Sequence, residues 1–189
     1  MLTIDFLKAE YRNSKELWRM LEALDIISLN HSIRVCEICR CIEEYLNFPN
    51  RNFSEAGLFH DIGKYFVSEN LLNKRGKLSS TEKTLIDLHC YLSFKVLKFN
   101  KKNDGICEMA LFHHGFKPVM IDDKGVCYDE TTKKLSLMLK TVDIYEALTT
   151  DRPYHRGISN EEAIKTILNN DSYDKETLNI INECHTKFE

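Results

Sequence analysis

Apolar residues recur every three to four positions through almost the whole chain, the period of an α-helix. From Thr3 to Leu24 charged and apolar positions alternate at that spacing, with Phe6, Tyr11, Leu17, Trp18 and Leu21 on the apolar side. A second helix is predicted from near Ser28 or Asn30 to about Leu46, on the stripe Val35, Ile38, Ile42 and Tyr45. Pro49 and Asn50 close it, and Ser54 is placed to cap the next segment. Asn73–Lys77, around Gly76, reads as a polar turn. Ser79-Ser80-Thr81-Glu82 has capping-box spacing, in which the first and fourth side chains satisfy each other's backbone N–H groups. It opens a helix to about Phe99. Asn103–Gly105 interrupts the chain, and a short helix then leads to His113-His114. Gly115–Thr132, with Pro118, Asp122-Asp123 and Gly125, is the longest loop, and a helix from about Lys133 to Thr149 follows. A second capping box, Ser159-Asn160-Glu161-Glu162, precedes helices near Glu161–Leu168 and Lys175–Cys184. No strand alternation or internal repeat appears. The pattern predicts an all-α helical bundle forming one domain over residues 1–189, with an N-terminal helix over about 1–24 and a core over about 28–185.

Composition narrows the function classes. At 189 residues and 43% hydrophobic, the chain can bury a sizeable core without disulfides. A net charge of −3 with no basic stripe argues against duplex nucleic acid as a partner, whereas a small nucleotide needs few local cations. Asp5, Lys8, Glu10, Arg12, Lys15, Glu16 and Arg19 exclude a hydrophobic signal core, and no apolar run approaches a membrane span. A cytoplasmic location with no membrane partner is therefore expected. The apolar side of the N-terminal helix is free to pack on the core or on another subunit, which leaves room for a homodimer or a signalling partner. The seven cysteines are odd in number and irregular in spacing; Cys36, Cys39 and Cys41 form their one cluster, and Cys36-Glu37-Ile38-Cys39 has no second pair to complete a zinc site. They read as buried thiols in a reducing compartment.

The informative residues are the polar ones that interrupt apolar stripes. His31 precedes Val35, Ile38 and Ile42; His89 lies among Leu85, Leu92 and Val96; Asp143 lies among Leu135, Leu139 and Ala147. His60-Asp61 and His113-His114 add four more metal-competent groups. One inward histidine is commonly a hydrogen-bonded core residue. An inward carboxylate costs several kcal/mol unless it is paired or bound to a cation. Five histidines and two aspartates converging are best satisfied together by metal. Imidazole and carboxylate without thiolate favour iron, manganese, zinc or nickel. Seven ligands exceed what one ion normally takes. Two ions about 3.5–4 Å apart hold a hydroxide between them and polarise a phosphoryl oxygen, which is the chemistry of phosphoester hydrolysis.

The spacing of His31, His60-Asp61 and Asp143 resembles the H…HD…D signature of the HD superfamily, and His60-Asp61-Ile62-Gly63-Lys64 is its HDIGK form. His89, His113-His114, the run from Asp143 to Tyr154 and the stretch Leu71–Leu78 resemble the HD-GYP subfamily, whose members are cyclic-di-GMP phosphodiesterases with two or three metals. Ser172-Tyr173-Asp174 stands where that subfamily has Phe-Asp-Pro. The resemblance runs from about His31 to Glu183. It implies an HD-domain bundle in which His31, His60, Asp61 and Asp143 hold a first ion. His89, His113 and His114 hold a second, with Asp61 bridging. Iron or manganese is favoured, and zinc or nickel is compatible. Lys64 approaches a substrate phosphate, and Arg152 and His155 contact the nucleotide; an ion pair of Arg152 with Asp151 or Glu146 is the alternative. Asp61 and Lys64 carry the chemistry.

Three departures qualify the implied substrate. Gly115-Phe116-Lys117-Pro118 replaces the Glu and Gly-Tyr-Pro stretch that follows the double histidine in the subfamily. His155 replaces a lysine. Ile27 stands where members with three metals carry a glutamate one turn before the first histidine, which implies two ions here. The expected function is metal-dependent hydrolysis of a cyclic dinucleotide, with cyclic-di-GMP as the default. The alternatives are hydrolysis of another nucleotide or phosphoester, and a catalytically weak nucleotide-binding signalling module.

Overall fold

A computed structural model describes residues 3–48, 52–115, 129–152 and 156–184. The stop at Pro49 and Asn50, most of the loop after Gly115, and His155 lie outside the described residues. Among those described the architecture is all-α. The elements are α1 (Ile4–Glu10), α2 (Lys15–Glu22), α3 (Ile26–Tyr45), α4 (Asn52–Phe59), a 3-10 turn (Ile62–Phe66), α5 (Glu69–Leu72), α6 (Ser80–Phe99), α7 (Asp104–Phe112), α8 (Glu130–Thr149), α9 (Asn160–Leu168) and α10 (Lys175–Cys184). None of these helices is long and apolar enough to cross a membrane.

Both capping boxes form, at Ser79/Glu82 and Ser159/Glu162, and fix the starts of α6 and α9. Four boundaries differ from the sequence expectation. The N-terminal helix is two helices, broken at Tyr11–Ser14, where the Ser14 hydroxyl is engaged by tertiary partners: it accepts from Lys102 Nζ at 2.5 Å and donates to Glu55 Oε1 at 3.4 Å. The second helix starts at Ile26, where Asp25 accepts the Ile27 and Ser28 N–H groups; Tyr45, at its far end, is exposed. Asp129 caps α8 through the Thr132 N–H at 2.6 Å, so that helix begins at Glu130. Ser54 is not a cap. It lies inside α4 with its hydroxyl 2.9 Å from that of Tyr11. The buried carboxylate of Glu43 caps α4 instead, reaching across from α3 to accept the Phe53 and Ser54 N–H groups at 2.8 and 2.9 Å.

Helix α3 packs against α4 and α8, α4 against α7, and α7 against α6 and α8. Their shared interior holds Val35, Ile42, Leu58, Phe59, Leu97, Ile106, Leu111, Leu139 and Val142, all nearly or fully buried. Each such side chain contributes about 1.5–3 kcal/mol on burial. The N-terminal helices pack on this core: Trp18 meets Phe59 edge-on with ring centroids 6.0 Å apart. Helix α10 packs on α3 and α8.

The close contact that places the site is between the 3-10 turn and α6. The Gly63 N–H donates to Ser93 Oγ at 2.8 Å. A Cβ on Gly63 would fall 2.1 Å from the His89 carbonyl oxygen and 2.6 Å from the Ser93 nitrogen, both backbone atoms. Glycine is required for this approach, and the approach sets Asp61 against His89. Gly63→Ala is therefore expected to lose about 3 kcal/mol, the upper end of an overpacking penalty, read as a lower denaturation midpoint. A wild-type midpoint would contradict the contact.

Candidate metal centre

Five elements deliver the seven predicted ligands to one place. His31 comes from α3, His60 and Asp61 from the turn after α4, His89 from α6, His113 and His114 from the end of α7, and Asp143 from α8. His31, His60, Asp61, His89 and His113 are at most 4% exposed, while Asp143 and His114 sit towards the rim.

Backbone carbonyls aim three of the histidines. The Nδ1 atoms of His60, His89 and His113 donate to the carbonyls of Gly57, Ile86 and Ala110 at 2.8, 2.6 and 2.7 Å, in each case three residues back. A carbonyl only accepts, so each Nδ1 carries the proton and each Nε2 presents a lone pair to the interior. His31 is held differently: its Nδ1 donates to the Glu146 carboxylate on α8. Ligating histidines are commonly oriented through the second ring nitrogen in these ways.

Asp61 lies at the centre, and its two oxygens face different groups. Oδ2 is 3.7 Å from His31 Nε2 and 3.4 Å from His60 Nε2; Oδ1 is 3.0 Å from His89 Nε2 and 3.7 Å from His113 Nε2. Asp143 Oδ1 adds contacts at 3.0 Å to His31 and 3.9 Å to His60, and its Oδ2 is 3.9 Å from His114 Nε2. These are lone pairs pointed at lone pairs. His60 Nε2 and Asp61 Oδ1 are fully buried and make no hydrogen bond. Such a cage requires either protons or a cation between its donors. Overlapping sets, His31/His60/Asp61, His60/His113/Asp143 and His89/Cys90/His113/His114, each keep their donor atoms within 4.8 Å of one another, so the residues fit a metal.

Protonation without a cation shows the same demand. Burial works against charge on His31 and His89, yet facing carboxylates push each up to about 9: Asp143 and Glu146 at His31, Asp61 at His89. Burial also opposes charge on His113, but Cys90 and Asp61 raise it well above the ordinary value. At His60 burial wins and lowers the imidazole. Asp61 stays far below the usual carboxylate range despite its burial, held there by Lys64, His60 and His89. A divalent ion would take the place of these protons.

Cationic side chains surround the cage. Lys64 Nζ lies 2.5 Å from Asp61 Oδ2. Arg34 and Arg152 both reach Glu146, Arg152 Nη2 at 3.2 Å, and Thr150 Oγ1 donates to Glu146 Oε1 at 2.9 Å. Arg152 thus forms the ion pair with Glu146, which is 1% exposed, while a third of the Arg152 side chain stays open to solvent. Three neighbours of the cage lie outside the predicted ligand and substrate-contact sets. Glu146 lies three residues beyond Asp143 and so shares its helix face, a spacing signal that was available. Asp87 Oδ1 stands 3.7 Å from His114 Nδ1. Cys90 faces His89 and His113, not the apolar core. The buried face of α6 is His89, Cys90, Ser93, Phe94 and Leu97, whereas Leu85 is exposed and Leu92 and Val96 are half-buried. The expected stripe thus contained His89 but was centred on the wrong side.

Glu146 also makes a pH prediction. Burial raises its carboxyl, but His31 and Arg34 bring it down to about 2 from the ordinary 4.5. Between those values the unfolded chain binds more protons than the folded one. The stabilisation is therefore complete above about pH 4.5 and lost as pH falls towards 2. Glu146→Gln should cost the metal-free protein about 1.5–3 kcal/mol at neutral pH, with the gap to wild type closing on acidification. A gap in unfolding free energy that stays constant across that acid range would contradict the assignment.

Known proteins resemble this chain over most of its length. A family model described as HD domain matches residues 15–177. A cyclic di-GMP phosphodiesterase of Pseudomonas aeruginosa is 31% identical over 151 residues, covering 77% of this chain and 36% of the relative. A 3'3'-cGAMP-specific phosphodiesterase of Vibrio cholerae is 29% identical over 152 residues, covering 77% and 34%. The chain thus spans about a third of the length of these relatives. The HD domain of the L. monocytogenes phosphodiesterase PgpH superposes with a TM-score of 0.57 at 16% identity, over 82% of this chain and 87% of that one. The same domain in complex with cyclic-di-AMP gives 0.56 at 17%, over 82% and 85%. The chain belongs to the HD domain family.

Proposed function

We propose that these residues form one metal-dependent phosphodiesterase domain that hydrolyses a cyclic dinucleotide, with cyclic di-GMP as the default substrate. The observation that carries this reading is Asp61, whose two oxygens face two separate sets of imidazole nitrogens. A carboxylate shared by two cations needs that arrangement. In this reading His31, His60, Asp61 and Asp143 hold one ion, and His89, His113 and His114 hold the other with Asp61. Iron or manganese is favoured, and zinc or nickel is compatible. When bound, such a pair supplies a nucleophile at neutral pH and polarises the phosphoryl oxygen.

The protein's own groups position the reaction. Glu146 and the three backbone carbonyls fix the histidine rings, so the cage is set before substrate arrives. Lys64 sits on Asp61 at the edge of the cage with a fifth of its side chain open to solvent. There it neutralises charge that develops on the phosphate. Arg152 keeps a third of its side chain exposed beside the same edge while paired to Glu146, which suits a substrate contact made by a held guanidinium. His155 is assigned to the nucleotide on the resemblance alone. The names of the P. aeruginosa and V. cholerae relatives support cyclic dinucleotides as the substrate class.

A panel of cyclic dinucleotides offered to iron- or manganese-loaded protein, with products resolved by mass, tests the reading. Ring opening of cyclic di-GMP or a close analogue is expected. A fully metallated protein that opens none of them would overturn it. Asp61→Ala is expected to lose both ions and His113→Ala mainly one, as read by elemental analysis; full occupancy in Asp61→Ala would remove the bridging role. Lys64→Ala is expected to keep its metals and lose about 2–4 kcal/mol of transition-state stabilisation, seen as a fall in kcat/KM. Near-normal turnover with the metals bound would leave Lys64 a structural ion pair with Asp61.

A further inference from the structure

One donor in the cage belongs to no predicted ligand set. Cys90 follows His89 on α6 and is 4% exposed. Its Sγ lies 3.5 Å from His89 Nε2 and 4.0 Å from His113 Nε2, and those two nitrogens are 3.3 Å apart. With metal–nitrogen bonds of about 2.0–2.1 Å and a metal–sulfur bond of about 2.3 Å, donors at near-tetrahedral angles to one another stand roughly 3.3–3.6 Å apart. The 3.3 and 3.5 Å spacings fall in that range and the 4.0 Å one lies outside it, with no ion drawing the donors together. His114 completes the set, with all four donors within 4.8 Å of one another. A second feature points into the same space. Asp61 Oδ1 is buried without a hydrogen bond and faces His89 and His113 at 3.0 and 3.7 Å. Cys107, by contrast, donates to the Lys102 carbonyl at 3.6 Å.

We propose that the thiolate of Cys90 ligates the second ion, beside His89, His113 and His114. The inference rests on the two-ion reading of the cage. It makes the centre chemically asymmetric. The side built from His31, His60 and Asp143 offers nitrogen and oxygen alone, which hard and borderline ions share. The side built from His89, Cys90, His113 and His114 includes a soft sulfur, which selects zinc or ferrous iron over manganese and magnesium. The two positions are thus predicted to differ in the metal they retain.

The test reads the ligand shell and does not depend on turnover. Zinc-loaded wild-type protein examined by X-ray absorption should show a sulfur scatterer at about 2.3 Å beside the nitrogen and oxygen shell. Cobalt(II)-loaded wild type should show a near-ultraviolet thiolate-to-cobalt band that is absent from Cys90→Ser and Cys90→Ala at saturating cobalt. Zinc affinity at the second site should fall in those variants by roughly 10–100-fold, as losses around a metal do, with manganese affinity moving less. A nitrogen-and-oxygen shell in metal-loaded wild type would overturn the role of Cys90 and leave the two-ion reading standing. So would a cobalt band that persists in Cys90→Ser. Wild-type protein that takes up no metal at all would overturn the metal centre itself, and this inference with it. The absorption measurement needs no variant, so a substitution that fails to fold does not weaken the test.

Discussion

A carboxylate with almost no solvent exposure has to be compensated where it stands, and at Asp61 the whole bundle is arranged to do so. An isolated buried charge costs several kcal/mol, enough to consume much of a domain's net stability. Lys64 offsets part of that cost on one oxygen. The remaining field falls on four imidazoles delivered by α3, α6, α7 and the turn after α4. Because those elements are far apart in sequence, the cage exists only when the core has packed. Folding and cation binding are therefore coupled: an ion that enters the cage stabilises the contacts between helices that build it.

The orientation of the donors is set by groups that never touch the centre. Three histidines are locked by carbonyls within their own helical turn, which makes their aim a property of local backbone geometry. His31 depends instead on Glu146, itself gripped by Arg34, Arg152 and Thr150. That cluster joins α3 to α8 and extends to the segment after α8. The Gly63 contact with α6 has the complementary part, fixing how far Asp61 stands from His89. Small displacements at any of these supports change donor spacing by tenths of an ångström, which is the scale on which metal sites discriminate.

Much of this was legible in the sequence because it rests on local rules. The two capping boxes fixed helix starts, and helical periodicity put His31 on the buried stripe with Val35, Ile38 and Ile42. His60-Asp61 and His113-His114 stand out as adjacent polar pairs beside apolar runs, and the structure brings all seven predicted ligands together. What was not legible depends on tertiary geometry. Glu43 caps a helix other than its own, which no pattern within α4 reveals. The N-terminal helix breaks at Ser14, whose partners lie 41 and 88 residues away. Cys90 looked like one more scattered thiol, since cysteine spacing singles out pairs of cysteines and not a cysteine beside a histidine. Its placement among imidazoles follows from the rotation of α6, which the stripe through Leu85, Leu92 and Val96 had set on the wrong side.

The proposed centre depends on Asp61 dividing its two oxygens between two cations. Anomalous diffraction from crystals of the metal-loaded protein tests it most directly, because it locates the ions without assuming a reaction. Two anomalous peaks about 3.5–4 Å apart are expected, one between Asp61 Oδ2 and the His31 and His60 nitrogens, the other between Asp61 Oδ1 and those of His89 and His113. A single peak, or peaks that leave one oxygen of Asp61 without a cation, would contradict it.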